Sequence, residues 1–136
     1  MNFRLAPQDR KFLLQSVEIL DDDDLDKGFG LRRVKTHWSR SVVAFYHDGL
    51  GVVVKRAIYI LDPRTPKHMR APTIKLGKGW VAQPILKKTQ LLEACRILTK
   101  KLNPYLKMGI NPDLHTGNVG WYQISPKRRI PLLFDW

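Results

Sequence analysis

A chain of 136 residues suits one domain or two small lobes sharing a core, and 43% hydrophobic with 26% charged residues is a globular composition, not a disordered one. A net charge of +12 directs attention to polyanionic partners: nucleotide phosphates, nucleic acid or an acidic protein. The single cysteine, Cys95, excludes an internal disulfide and any multi-cysteine zinc site and suits a reducing compartment.

The first element along the chain is a helix in PQDRKFLLQSVEIL, where Pro7 suits the first position and Phe12, Leu13, Leu14, Val17 and Leu20 recur at helical spacing. The N-terminus lacks an apolar core for a signal peptide and no run approaches membrane-spanning length, so a soluble, cytoplasmic protein with no membrane partner is expected. The acidic run that follows could be aligned as an EF-hand with Asp22, Asp24 and Asp26 as ligands. Lys27 then falls where that loop requires glycine and Arg33 where it requires glutamate, which leaves a solvated acidic turn. Residues 27–112 carry 18 Lys or Arg against only Asp48, Asp62 and Glu93, so the positive field is concentrated there.

From residue 28 the pattern changes to strands. SVVAFYH and LGVVVKRAIYI are rich in β-branched and aromatic residues and flank Asp48-Gly49, a hairpin signal. Pro63, Pro66 and Pro72 exclude a sustained helix over 61–79. GWVAQPIL predicts a short buried strand ending at Pro84. The next segment predicts a helix over 89–103, with Leu91, Leu92, Cys95, Leu98 and Leu102 along one side and Lys100 and Lys101 near the end that the dipole makes negative. Short strands around GNVGWYQI and IPLLFDW, joined by the basic turn SPKRR, close the chain. The expected organisation is α+β: an N-terminal helix and acidic turn over 1–27, an antiparallel sheet over 28–86, and a helix, loop and strand over 87–136.

The chemistry concentrates in INPDLHTGNVGWY and PLLFDW. An aspartate five residues before an asparagine, followed by a hydrophobic strand ending in a second aspartate, is the spacing of a phosphoryl-transfer site. Asp113 would take the proton of an attacking hydroxyl, while Asn118 and Asp135 supply the hard oxygen ligands that Mg²⁺ prefers. Each has a structural alternative. Asp113 sits among turn formers, and Asp135 stands next to the last residue given. His37, His47, His68 and His115 show no metal spacing. Cys95 reads as core, and Trp38, Tyr46 and Trp80 read as strand packing in preference to stacking on bases.

DLHTGNVG with LLFDW resembles the catalytic loop and metal-binding aspartate of the protein-kinase-like superfamily, nearest to its aminoglycoside-phosphotransferase and atypical-kinase branch. The resemblance implies a two-lobed fold, a small antiparallel sheet lobe with a much reduced helical lobe, that binds ATP with Mg²⁺. It makes Asp113 the catalytic base and Asn118 and Asp135 the metal ligands, with His115 and Gly117 matching the loop. Lys55 in GVVVKRA takes the place of the lysine for the α/β-phosphates; its alternative is a strand lysine whose ammonium reaches solvent. Gly28 and Gly30 fall where a glycine loop would cover the phosphates, and backbone groups near Ala82 and Gln83 fall where the adenine would be held.

Departures accompany the match. Arg33 stands where a third glycine is usual, Asn111-Pro112 replaces the usual lead-in, and 61–79 holds no glutamate to pair with Lys55, for which Glu18 is a candidate substitute. The sequence stops after Trp136, leaving no activation segment, so a minimal, C-terminally truncated relative is expected. Two functions follow. One is an ATP-dependent phosphotransferase acting on a hydroxyl acceptor. The other is a non-catalytic kinase-like binding or inhibitor protein, of the economy seen in viral, phage or mobile-element proteins, that engages an acidic protein or nucleic acid through its basic surface. An unrelated α+β nucleic-acid binder is the third option.

Overall fold

A computed structural model describes residues 3–19, 29–33, 42–57, 64–110, 114 and 116–134. The chain is α+β and divides into two compact units, one within residues 1–58 and 72–85 and the other within 59–71 and 86–136.

The first unit opens with helix α1, Pro7–Ile19. Pro7 costs nothing at a helix start, because the first turn has no internal acceptor for its missing N–H. Leu13, Ser16 and Val17 form the buried stripe at i, i+3 and i+4, and Ser16 Oγ satisfies itself by donating to the Phe12 carbonyl at 2.7 Å. Five antiparallel strands follow: β1 (Leu31–Arg33), β2 (Val42–His47), β3 (Val52–Ala57), β4 (Ile74–Gly77) and β5 (Trp80–Pro84). Their order in the sheet is β1-β2-β3-β5-β4. The predicted β2–β3 hairpin forms, but its connection has four residues, 48–51, where Asp48-Gly49 suggested two. His47 Nδ1 accepts the Leu50 N–H at 3.0 Å, and Gly51 takes the left-handed conformation that turns the chain into β3.

Strand β4 is an addition to what the sequence suggested. Lys78 (φ 53°) and Gly79 (φ 83°) join it to β5 by a two-residue turn with both φ values positive, the geometry that matches strand twist. Alternation places Val52 and Val54 with Leu13, Val17, Leu31, Phe45 and Trp80 in one core. Val53 and Lys55, on the opposite face of β3, are also buried.

The second unit holds helix α2 (Leu91–Leu106) and the hairpin β6 (Val119–Ser125) and β7 (Arg128–Leu133). The helix runs past the predicted end with Pro104 inside its last turn, forgoing that residue's i→i−4 hydrogen bond. Ala94, Leu98 and Leu102, each four residues apart, pack with Met69, Val119, Trp121 and Leu133, while Cys95 is partly buried against the same cluster. Leu132, one residue along β7, packs with Ala71, Leu86 and Phe134, so the end of β7 is buried on both faces. Arg128 and Arg129, expected in the turn, are the first strand residues of β7.

Candidate functional site

In the first unit, Lys55 lies at the centre of the sheet, paired in register with Ala44 and Val81, and is only 1% exposed. That removes the solvent-reaching alternative for this lysine. An ammonium so deep is retained only with compensating partners, which makes it a strong marker of function or of an internal ion network. Glu18 does not supply its charge: that carboxylate pairs with Lys78 at 2.7 Å. Between β3 and β4 the described residues, 64–73, form one short 3-10 turn at Lys67–Met69 and no α-helix.

Ala82 is flanked on both sides by paired strands, opposite Val54 and Ile74, so its backbone belongs to the sheet ladder. Gln83 is buried; its Nε2 donates to Thr73 Oγ1 at 2.9 Å while Oε1 has no hydrogen-bond partner. Gly30 adopts φ 72° ahead of β1, and a Cβ there would stand 3.2 Å from His47 Nε2, a local reason for glycine.

In the second unit, a 3-10 turn at Thr116–Asn118 delivers Asn118 to the start of β6. Asn118 is 3% exposed, and its carbonyl accepts the Phe134 N–H at 2.9 Å. The hairpin thus ties Asn118 to the residue immediately before Asp135, because Val119 pairs with Leu133 and the two strand ends meet. Gly28, Asp113, His115 and Asp135 lie outside the described residues. Among the described residues no group of three or more His, Cys, Asp or Glu gathers as a metal site.

Lys88, Arg70 and Ala71, which were not singled out from sequence, stand around this strand end. Lys88 donates to the Val119 carbonyl at 3.3 Å and sits 3.4 Å from the Phe134 ring centroid, placing a cation beside the hairpin root. Arg70 bridges Leu133, and Ala71 N–H donates to the Leu133 carbonyl at 2.7 Å. Arg70 Nε and the hydroxyl of Thr65 are buried without hydrogen-bond partners. For Arg70 the only sequence signal was the cationic character of the proline-rich stretch 61–79. Trp80 is core, packed at a tilt with its ring centroid 6.3 Å from that of Phe45, which bears out packing over base stacking for this residue.

Compared with known proteins, the chain matches no family model, no curated protein and no solved structure. No helix among the described residues is long and apolar enough to cross a membrane.

Proposed function

We propose that this chain is a minimal kinase-like protein that binds ATP with Mg²⁺ and transfers phosphate to a hydroxyl acceptor. The observation that carries the proposal is Lys55: a wholly buried lysine on the third strand of an antiparallel sheet, the position from which kinases hold the α/β-phosphates. The hairpin adds support, since Asn118 and the residue before Asp135 are tied at its root. In this reading Asp113 takes the acceptor's proton, Lys55 neutralises the α/β-phosphates, and Gly28 and Gly30 lie over them. Backbone groups near Ala82 and Gln83 face the base; since Ala82 is held within the ladder, those contacts fall toward the exit of β5.

The donor set fits a hard cation. Asn118 offers a carboxamide oxygen at a buried position and Asp135 a carboxylate, and Mg²⁺ held there would offset phosphate charge.

A second reading, a non-catalytic kinase-like binding protein, is favoured by one observation: Glu18, the candidate substitute for the carboxylate that kinases pair with their lysine, is engaged with Lys78. Calorimetry with ATP, with and without Mg²⁺, followed by turnover assays on Asp113→Ala, Asp135→Ala and Lys55→Met, separates the two. The first predicts Mg²⁺-dependent binding, a loss of affinity of about tenfold or more in Lys55→Met, and turnover abolished in Asp113→Ala. Binding without turnover would select the second reading, and no nucleotide affinity at all would remove the proposed ligand from both.

A further inference from the structure

Two buried donors without protein partners lie on one short segment of the second unit. Thr65 is 2% exposed, and its hydroxyl makes no hydrogen bond. Arg70 Nε is fully buried, also without a hydrogen-bond partner, and its guanidinium stacks on no aromatic ring among the described residues. Both positions are held firmly. The single turn between them is closed by Met69 N–H to the Pro66 carbonyl and Arg70 N–H to the Lys67 carbonyl, at 3.0 and 3.2 Å. Met69 is anchored in the core, Arg64 donates to the Gly109 carbonyl, and Ala71 is bonded to Leu133.

Leaving a buried hydroxyl and a buried guanidinium nitrogen unsatisfied is unfavourable, so their retention in a well-anchored turn points to an acceptor that comes from outside the chain. Residues 64–71 contain Arg64, Lys67, His68 and Arg70 and no acid, so that acceptor is an anion. A guanidinium fork and a hydroxyl donor carried on one short turn suit the several oxygens of a phosphate group.

We infer that segment 64–71 is a phosphate-binding site, with Arg70 and Thr65 as its ligand-contacting side chains. The site stands independently of the proposed phosphotransferase activity. Its phosphate is carried either by a nucleotide or by a separate ligand, and the test distinguishes the two.

The test is calorimetry on the full chain with inorganic phosphate, AMP and Mg²⁺-ATP. Wild-type protein binds inorganic phosphate, and Arg70→Gln weakens it by about tenfold or more, the worth of a charge-assisted hydrogen bond. Should Arg70→Gln fail to fold, Arg70→Lys keeps the charge but loses the fork and still weakens binding. Thr65→Val lowers phosphate affinity while holding or raising the thermal midpoint, since it removes an unsatisfied buried hydroxyl; a purely structural hydroxyl would leave phosphate affinity unmoved. A parallel loss of Mg²⁺-ATP affinity in Arg70→Gln assigns the phosphate to the nucleotide, whereas a loss confined to inorganic phosphate assigns it to a separate ligand. Absence of phosphate binding by wild type, or equal affinity in Arg70→Gln and Thr65→Val, overturns the site even if ATP binds elsewhere. Arg70-dependent phosphate binding with no affinity for ATP supports the site and overturns the nucleotide reading.

Discussion

Arg32 and Asp48 show how little an ion pair decides when it is exposed, and where it still leaves a mark. Arg32 holds both carboxylate oxygens of Asp48, at 2.9 and 3.1 Å, and lies 4.4 Å above the Tyr46 ring. That hydrogen bonding holds the Asp48 carboxyl below its ordinary value of 3.8, while burial raises the Tyr46 hydroxyl above its ordinary value. The sign for Asp48 follows from linkage. A depressed folded pKa contributes stability that is present above the unfolded value and is lost as pH falls through the folded one. Because both partners are exposed, the effect is small. Urea titrations of wild type and Asp48→Asn should differ at neutral pH and converge as pH falls below the ordinary carboxylate range, through the depressed folded value. A constant gap across that range would show that the pair's ionisation contributes nothing. Lys55 is the contrasting case, a lysine wholly inside the protein, where any charge it carries must be compensated by its surroundings.

At the scale of elements, the β6–β7 ribbon solves a backbone problem that its sequence poses. Pro131 lies opposite Trp121, but the Trp121 N–H and carbonyl are both used by Lys87, at 3.0 and 2.9 Å, on the other side of β6. The pair is therefore a non-hydrogen-bonded one, and the missing proline N–H costs nothing there. The close approach depends on Gly120, where a Cβ would sit 2.5 Å from Leu86 Cβ and 3.4 Å from the Lys87 carbonyl oxygen. Gly120→Ala should destabilise the protein by about 1–3 kcal/mol in chemical denaturation, as overpacking does. An unchanged midpoint would mean that Leu86 yields without cost. The strands, the DG hairpin and the helix were legible because each follows a local period, although Leu92, expected on the helix's apolar side, is 80% exposed. The strand at Ile74–Gly77 was hidden by the prolines before it, although Gly77 and Gly79 around Lys78 marked its turn.

For the molecule as a whole, charge is the property that sequence states most directly. A chain at +12 meets polyanions through counterion release, so any affinity for duplex DNA should fall linearly in log salt, by about 0.9 per phosphate neutralised. Binding measured across a salt series checks this, and a flat response would exclude nucleic acid as the partner of the basic surface. The division into two units brings residues 64–71 together with α2 and the β6–β7 hairpin, although in sequence they lie between strands β3 and β4 of the other unit. Such an excursion leaves no periodic trace in sequence, because it is made by single bridges such as Arg70 with Leu133.

Local pattern by itself determined the α+β class, most of the strands and helices, and the basic character of the chain. These depend on neighbours within a few positions, where side-chain period and turn chemistry act. Only the tertiary structure decided that Lys55 is buried, that Glu18 pairs with Lys78, that Asn118 is bonded to Phe134, and that Thr65 and Arg70 hold buried donors without partners. Burial and hydrogen-bond pairing are set by which distant segments close over a side chain, and no short window of residues contains that information.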